Sequence, residues 1–403
     1  MTMGTSRLTG RILGLALALS ITLPALAAGS EPAERPWGPA ARVPLAQVGK
    51  GLDREVYGFF HPGARDHMLR VADYSVLSTV AYFAIPASGK GRLKTHRPSG
   101  APEYNWTAWN SSQMDRIIDR AHAAGTKVVL TVTRFGWSSG GLQTTQRLLS
   151  SATARQRLAD EIAAELQRRG VDGVNIDFEP IPGSERQNFV RFIRTLRTAL
   201  DAARPGLDLS VAATGYVANY DIAGLTAPGA ADSVFIMAYH YRGSWSPRAG
   251  SIAPLTSPVY DVTDTVDKYT DLAPPGKIIL GLPYYGYTWS TKGKKNRSRT
   301  LPAGATYGYP RSTIVSSAMA LAEQHGRRWD PVEQGPWVRW QFRNCPTCPL
   351  TWRQLYYEDE QSLGLKYDLI NDRNLRGVGI WALGYEGAYT GLNEVLRDKF
   401  VTP

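Results

Sequence analysis

The chain has 403 residues, of which 43% are hydrophobic and 20% charged, a composition typical of a globular protein with a large core. Its formal net charge of +11 suits an anionic partner such as nucleic acid, a membrane surface or a cell wall. The sequence lacks a dense basic block with interleaved aromatic residues, which argues against a nucleic-acid partner. It also lacks the ligand pairs of a zinc site and any nucleotide motif, so we expect neither a metal nor a cofactor.

The N-terminus has the pattern of a secretory signal. Two arginines precede an apolar run at 12–27, which ends in the small-x-small sequence Ala-Leu-Ala. A membrane anchor is the alternative, but Pro24 interrupts the run, and a bilayer span needs about 20 unbroken apolar residues. We therefore expect a signal peptide at 1–27 and a secreted or cell-envelope protein without stable membrane insertion. Cleavage removes two arginines and leaves a charge of +9.

Strand-like and helix-like segments alternate after the signal. Residues 28–51 are rich in proline, glycine and alanine, which predicts a linker or N-terminal arm before a domain at 52–403. Helical patterns occupy 111–125 and 152–170, and Ser184 with Gln187 forms a capping-box pattern at the start of another helix. Eight segments have the composition of buried strands: 55–60, 76–85, 126–133, 171–179, 208–216, 232–241, 276–289 and 376–386.

Apolar strands separated by helices predict a parallel sheet covered on both faces. Eight such units over about 350 residues suit an α/β fold of the (β/α)8 TIM-barrel type. A doubly wound open sheet is the alternative, but no G-x-G-x-x-G motif follows the first strand. The interval between the seventh and eighth strands is too long for one helix, and it predicts a small α+β insertion at about 290–365. Within it, the C-x-x-C pair Cys345 and Cys348 predicts a local disulfide in an exported chain.

The segment VDGVNIDFE at 171–179 carries the functional signal. Asn175, Asp177 and Glu179 share one parity, and a strand in a parallel barrel has no solvent face, so these groups must be paired or functional. An edge strand with one wet face is the alternative. Two carboxylates so close raise the pKa of at least one of them. A protonated Glu beside an ionised Asp suits glycoside hydrolysis.

These residues resemble a known family. DGVNIDFE resembles the fourth-strand signature of glycoside hydrolase family 18, the chitinases and their relatives. IMAYHY (236–241), GLPYYGYTW (281–289) and GVGIWALGYE (377–386) resemble its sixth-, seventh- and eighth-strand motifs. The likeness covers most of 52–403, and the family's small α+β insertion domain matches the one expected here.

The resemblance implies substrate-assisted hydrolysis with retention of configuration. Glu179 would protonate the leaving oxygen while the substrate's own N-acetyl carbonyl attacks the anomeric carbon. Asp177 would orient the acetamido group, and Tyr239 would donate a hydrogen bond to its oxygen. The implied substrate-binding residues are Asn175 below Asp177, Trp381 as the floor of the sugar subsite, and Met237, Tyr285 and His240 around it.

His240 departs from the family pattern, which usually has Asp at this position. The third strand, TVTRFGW, also lacks the S-x-G-G that is common in chitinases. Both departures indicate a divergent branch, closer to bacterial relatives that act on cell-wall or spore glycans.

We therefore predict a secreted, monomeric, retaining glycoside hydrolase. Its partner would be a glycan with β-linked N-acetylglucosamine, either chitin-type oligomers or peptidoglycan. A non-catalytic chitinase-like lectin is the main alternative, and a structural envelope protein is a third. Five tryptophans in or near loops are either sugar platforms or packing residues: Trp106, Trp109, Trp137, Trp245 and Trp289.

Overall fold

The computed structural model describes residues 50–401, in which eight parallel strands close into a barrel. The strands in chain order are β1 (Glu55–Phe60), β2 (Thr79–Pro86), β3 (Lys127–Phe135), β4 (Gly173–Glu179), β5 (Asp208–Thr214), β6 (Ser233–Met237), β7 (Ile278–Pro283), β8 (Tyr285–Thr291), β9 (Arg311–Ile314), β10 (Arg328–Asp330), β11 (Gly335–Phe342), β12 (Thr351–Tyr356) and β13 (Gly377–Trp381). Strands β1 to β7 are neighbours in sequence order, and β13 closes the barrel between β7 and β1. This confirms the predicted (β/α)8 barrel. The predicted signal peptide, and all but the last two residues of the predicted arm, lie outside the described residues.

Helices surround the barrel and accompany the insertion. They are α1 (Arg65–Arg70), α2 (Tyr104–Trp109), α3 (Ser112–Ala123), α4 (Ser139–Ser150), α5 (Ala152–Arg169), α6 (Arg186–Ala203), α7 (Ile222–Thr226), α8 (Val262–Thr270), α9 (Val315–His325), α10 (Glu360–Asp372) and α11 (Gly391–Phe400). None of the helices within 50–401 is both long and apolar enough to cross a bilayer.

The predicted capping box of α6 is wrong. Ser184 lies within a 3-10 turn, Gly183–Glu185, and its hydroxyl contacts Glu185. The helix then begins at Arg186 without a side-chain cap. Gln187 instead donates to Asp221, with 2.8 Å between Nε2 and Oδ2. Because of this extra turn, the residue that precedes the helix is Glu185 and not Ser184.

The alternation along β4 separates the lumen from the helix layer, as the sequence predicts. Phe178 stacks on Phe192 of α6 with ring centroids 5.6 Å apart, so its parity faces the helices. Asn175 and Asp177, of the other parity, are 0% and 3% exposed. The polar row therefore lies inside a closed barrel and not on a wet edge.

Aromatic rings fill the lumen below the site. Phe235 on β6 packs edge-on against Phe59 with centroids 4.9 Å apart, and its centroid is 5.7 Å from that of Tyr57. Glycines on β7 and β13, the next two strands around the barrel from β6, make room for this ring, because a Cβ added at Gly281 or Gly379 would lie 2.3 Å or 2.0 Å from a Phe235 carbon. The lower lumen is a packed core that supports the mouth of the barrel.

The insertion between the seventh and eighth barrel strands is confirmed. Within the described chain it forms an antiparallel sheet in the order β10-β11-β12-β8-β9, against which α9 packs. The segment predicted as one strand at 276–289 is in fact two: β7 ends in the barrel at Pro283, and β8 pairs with β12 in the insertion. Both strands are buried, so the pattern of burial does not mark the break. Cys345 and Cys348 form a disulfide between β11 and β12.

Candidate active site

The two carboxyl groups of β4 lie at the carboxyl end of the barrel. The parallel register places Asp177 beside Thr133 and Glu179 beside Phe135 of β3. Asp177 is buried, and Glu179, the last residue of β4, is half-buried. Their side chains share a hydrogen bond. Barrel enzymes carry their reacting groups at this end of the strands.

Burial changes the acidity of both groups. It raises the pKa of Glu179 to about 7, although the hydrogen bond with Asp177 acts in the opposite direction. Burial, followed by the negative charge of Glu179, raises the pKa of Asp177 well above its usual range. The sequence predicts a protonated Glu beside an ionised Asp, but the pKa values of both carboxyl groups are raised. Because two hydrogen-bonded carboxylates do not readily both ionise, the pair holds a proton near neutral pH.

A chain of hydrogen bonds lies below the pair. Asn175 donates to Ser210 with 2.8 Å between Nδ2 and Oγ, and Ser210 Oγ lies 3.3 Å from the Tyr57 hydroxyl. Asn175 Oδ1 and Asp177 Oδ1 are buried, and neither makes a hydrogen bond within 50–401. Asn175 thus lies one step below Asp177, as expected, but its hydrogen bond is to Ser210 and not to Asp177.

Tyr239 lies just beyond β6, which ends at Met237 and not at 241 as predicted. Tyr239 is 9% exposed, and its ring centroid is 6.2 Å from that of Tyr285. Burial raises its pKa well above the usual range, and the charges of Glu179 and Asp177 add to this effect. The phenol is therefore a neutral hydrogen-bond donor within electrostatic reach of the carboxyl pair.

His240 has an uncommon backbone conformation, with a φ of 64°. The residue is partly exposed at the mouth of the barrel, and Nε2 lies 2.9 Å from the hydroxyl of Tyr285. Partial burial lowers its pKa from 6.5. The ring is therefore predominantly neutral at pH 7, where the expected family residue, Asp, would carry a negative charge.

Trp381 ends β13 and lies half-buried at the mouth. Its ring meets Phe83 edge-on at 4.6 Å and Phe59 at 5.7 Å, both centroid distances. Met237, also half-buried, lies beside Gly281 of β7 in the register. The structure thus gathers all eight residues singled out by the sequence along the lumen and at its carboxyl end.

Sequence reasoning missed two phenylalanines of the site. Phe135 is 40% exposed beside Glu179, and Phe83 packs between Phe135 and Trp381. The parity of Phe135 with Thr131 and Thr133 could have identified it. Phe83 gave no signal, because its contacts depend on the closure of the barrel.

The five tryptophans divide into different classes. Trp109 and Trp289 are fully buried, whereas Trp137 and Trp245 are 68% and 71% exposed. Trp106 is half-buried beneath Arg168. Only the two exposed rings remain candidate sugar platforms.

Comparison with known proteins identifies the family. The profile of the family described as "Glycosyl hydrolases family 18" matches residues 64–386. The cortical fragment-lytic enzyme of Bacillus subtilis (strain 168) is 28% identical over 262 residues, which cover 63% of this chain and 55% of that protein. The chain spans about half the length of such curated relatives.

Solved structures share the fold at lower identity. A chitinase from Cycas revoluta in complex with (GlcNAc)3 aligns with a TM-score of 0.69 and 20% identity, over 86% of this chain and 99% of that one. A chitinase-like agglutinin from Robinia pseudoacacia aligns with a TM-score of 0.70 and 18% identity, over 85% and 98%. Because the family profile covers most of the chain, the protein belongs to family 18 of the glycosyl hydrolases.

Proposed function

We propose that the protein is a secreted, retaining glycoside hydrolase that cleaves β-linked N-acetylglucosamine-containing glycans by substrate-assisted catalysis. The observation that carries the proposal is the buried, hydrogen-bonded pair of Asp177 and Glu179 at the carboxyl end of β4. A carboxyl group with a pKa of about 7 can donate a proton at neutral pH and take it back later in the cycle.

The proposed reaction gives each of these groups one role. Glu179 donates its proton to the glycosidic oxygen as the bond to the anomeric carbon breaks. The acetamido oxygen of the same sugar attacks that carbon and forms an oxazolinium ion, while Asp177 accepts a hydrogen bond from the acetamido N–H. Tyr239 donates a hydrogen bond to the acetamido oxygen. Glu179 then takes a proton from a water molecule, whose oxygen attacks the anomeric carbon from the face that the leaving group has left. The oxazolinium ring opens, and the configuration is retained.

The names of related proteins support the substrate class. One solved relative is a chitinase in complex with (GlcNAc)3, and one curated relative is a cortical fragment-lytic enzyme. The half-buried Trp381 offers a flat ring for a pyranose face. Chitin-type oligomers and peptidoglycan are both within this class.

The acetamido group provides the sharpest test. We expect N-acetylglucosamine oligomers to be cut with the β-anomer as the first product, as seen by NMR of fresh digests. Oligomers of glucosamine, which lack the attacking carbonyl, should be cut at least about 100-fold more slowly. Equal rates on both, or an α-anomer as the first product, would refute substrate assistance.

A lectin is the second candidate, because a chitinase-like agglutinin shares the fold with a TM-score of 0.70. Glu179, Asp177 and Tyr239 are all present here, which favours the enzyme. Binding of N-acetylglucosamine oligomers without cleavage of these oligomers or of purified peptidoglycan would establish the lectin instead.

A further inference from the structure

Positive charge is concentrated in the insertion. Residues 285–356 contain eleven lysines and arginines against three acidic residues, a formal charge of +8. The rest of the chain contains 35 basic and 32 acidic residues, a charge of +3. Two of the three acids, Asp330 and Glu333, are 0% exposed. They pair with Arg297 at 3.1 Å and Arg242 at 2.5 Å, so the surface of the insertion is almost purely cationic.

One group of these charges lies at the edge of the insertion together with an arginine from the neighbouring barrel loop. We call this group the basic rim, and its members are Arg248, Lys292, Lys294, Lys295 and Arg299. All five side chains are exposed. Across the part of the chain that the structure describes, none forms an ion pair with a carboxylate. Lys292, Lys294 and Lys295 lie within four residues of one another, and Arg248 pairs with Arg299 in a β-bridge. An anionic partner would reduce the repulsion among these cations.

The backbone of the rim is held firmly. Gln354 of β12 donates through Nε2 to the carbonyls of Lys295 and Gly293, at 2.6 Å and 3.1 Å. The amide of Arg297 donates to the hydroxyl of Tyr356 at 2.7 Å. The charges are thus presented from a fixed backbone, which lowers the entropic cost of binding an extended partner.

The basic rim is connected to the active site through the loop that follows β6. Backbone hydrogen bonds of 3.0 Å from Ala249 to Ser298 and from Thr300 to Pro247 join it to the loop that follows β6. That loop also carries His240 and the exposed Trp245. Along this loop the exposed Trp245 lies between His240 at the mouth of the barrel and Arg248 of the basic rim.

We propose that the basic rim is a docking surface for the carboxylates of a peptidoglycan strand whose N-acetyl sugars occupy the cleft. The inference rests on the proposed function and selects one of its two substrates. Chitin is neutral and offers these cations no opposite charge. Peptidoglycan carries carboxylates on its peptide stems, or on the lactyl group of a sugar that lacks a stem, along the same chain that holds the N-acetyl groups.

The test compares two variants that each lose three positive charges. The rim variant combines Lys292→Gln, Lys294→Gln and Lys295→Gln. The control variant changes exposed cations outside the insertion: Lys90→Gln, Arg116→Gln and Arg194→Gln. Co-sedimentation with purified peptidoglycan is measured at about 50 mM and about 500 mM salt, since salt at the higher concentration screens surface charges. Turnover of a neutral N-acetylglucosamine oligomer is measured in parallel.

We expect the rim variant to bind peptidoglycan about tenfold more weakly at low salt, with the difference disappearing at high salt. The control variant should bind like the wild type, and both variants should cut the neutral oligomer at the wild-type rate. Equal binding by the rim variant and the wild type would overturn the proposal. So would an equal loss in the control, or wild-type binding to DNA or anionic vesicles in place of peptidoglycan. If neither the wild type nor either variant cuts the neutral oligomer, the proposed function fails. Co-sedimentation still decides whether the basic rim binds peptidoglycan.

Discussion

At the scale of single residues, the site depends on a proton that two buried carboxyl groups share. Neither Asp177 nor Glu179 has a basic partner among the described ion pairs, so burial raises both pKa values. The sequence predicted the shared parity of these groups and the shift of at least one. It could not predict that both shift, because the extent of burial depends on how the barrel closes around them.

The pKa of Glu179 predicts how the rate depends on pH. Because the protonated form is the acid and the pKa is about 7, kcat/KM should fall as pH rises through about 7. A pH profile with neutral N-acetylglucosamine oligomers would show this limb. A rate that stays constant up to pH 9 would contradict the assignment.

The same shift predicts a change in stability. Between the ordinary pKa of 4.5 and about 7, the folded protein binds more protons than the unfolded chain, so its free energy of unfolding decreases as pH rises through this window. Glu179→Gln removes the titrating group. We expect the free energy of unfolding of this variant, relative to that of the wild type, to be about 1–3 kcal/mol higher at pH 8 than at pH 4. Urea titrations at both pH values measure this, and a difference independent of pH would contradict it.

His240 gives a prediction about charge. The ring is predominantly neutral at pH 7, so His240→Asp would add a negative charge beside Tyr239 and raise the pKa of Glu179 further. The alkaline limb of the pH profile should then move up by as much as about one pH unit. His240→Asn is the uncharged control, and both replacements tolerate the positive φ of this position. Equal profiles for the two variants would show that charge at this position does not act on Glu179.

At the scale of elements, hydrophobic patterning predicted the eight barrel strands and the insertion, but not every boundary. The strand predicted at 232–241 ends at Met237, because the chain turns out of the barrel and places Tyr239 at its mouth. The break between β7 and β8 was missed for a related reason, since both sides of it are buried. Hydrophobic patterning predicts whether a segment is buried. At these points the chain changes direction but stays buried, so the pattern does not mark the boundary.

The close packing of Gly379 against Phe235 can be tested directly. In Gly379→Ala the new Cβ would lie 2.0 Å from a ring carbon, and such overpacking costs about 1–3 kcal/mol. Gly364→Ala on α10 is the matched control. The Cβ added there would lie 3.9 Å from its nearest neighbour, and the higher helix propensity of Ala should raise the free energy of unfolding by up to about 1 kcal/mol. Urea denaturation measures both, and wild-type stability for Gly379→Ala would contradict the packing described here.

At the scale of the whole molecule, a buried ion pair joins the insertion to the barrel. Glu358 follows β12 closely, and its Oε2 lies 2.7 Å from Lys366 Nζ of α10. The two side chains are 1% and 0% exposed. Ser362 also donates to this carboxylate at 2.6 Å. The chain therefore returns from the insertion to the barrel through a fixed, buried contact.

Breaking this pair should destabilise the protein strongly. Lys366→Met leaves Glu358 buried without its cation, which we expect to cost about 3–5 kcal/mol. The double variant Lys366→Met/Glu358→Leu removes both charges and should recover part of the loss. Thermal unfolding of the three proteins measures this, and a single variant as stable as the double would contradict it.

The role of Glu179 as the proton donor is the central claim, and Glu179→Gln tests it most directly. The change removes the proton and keeps the shape, so turnover of N-acetylglucosamine oligomers should fall by about 100-fold or more, while the affinity for the same oligomers stays within a few-fold. Glu323→Gln, on the exposed surface of α9, should cut at the wild-type rate. A Glu179→Gln protein that folds, binds the oligomer and cuts it at a near wild-type rate would contradict the account.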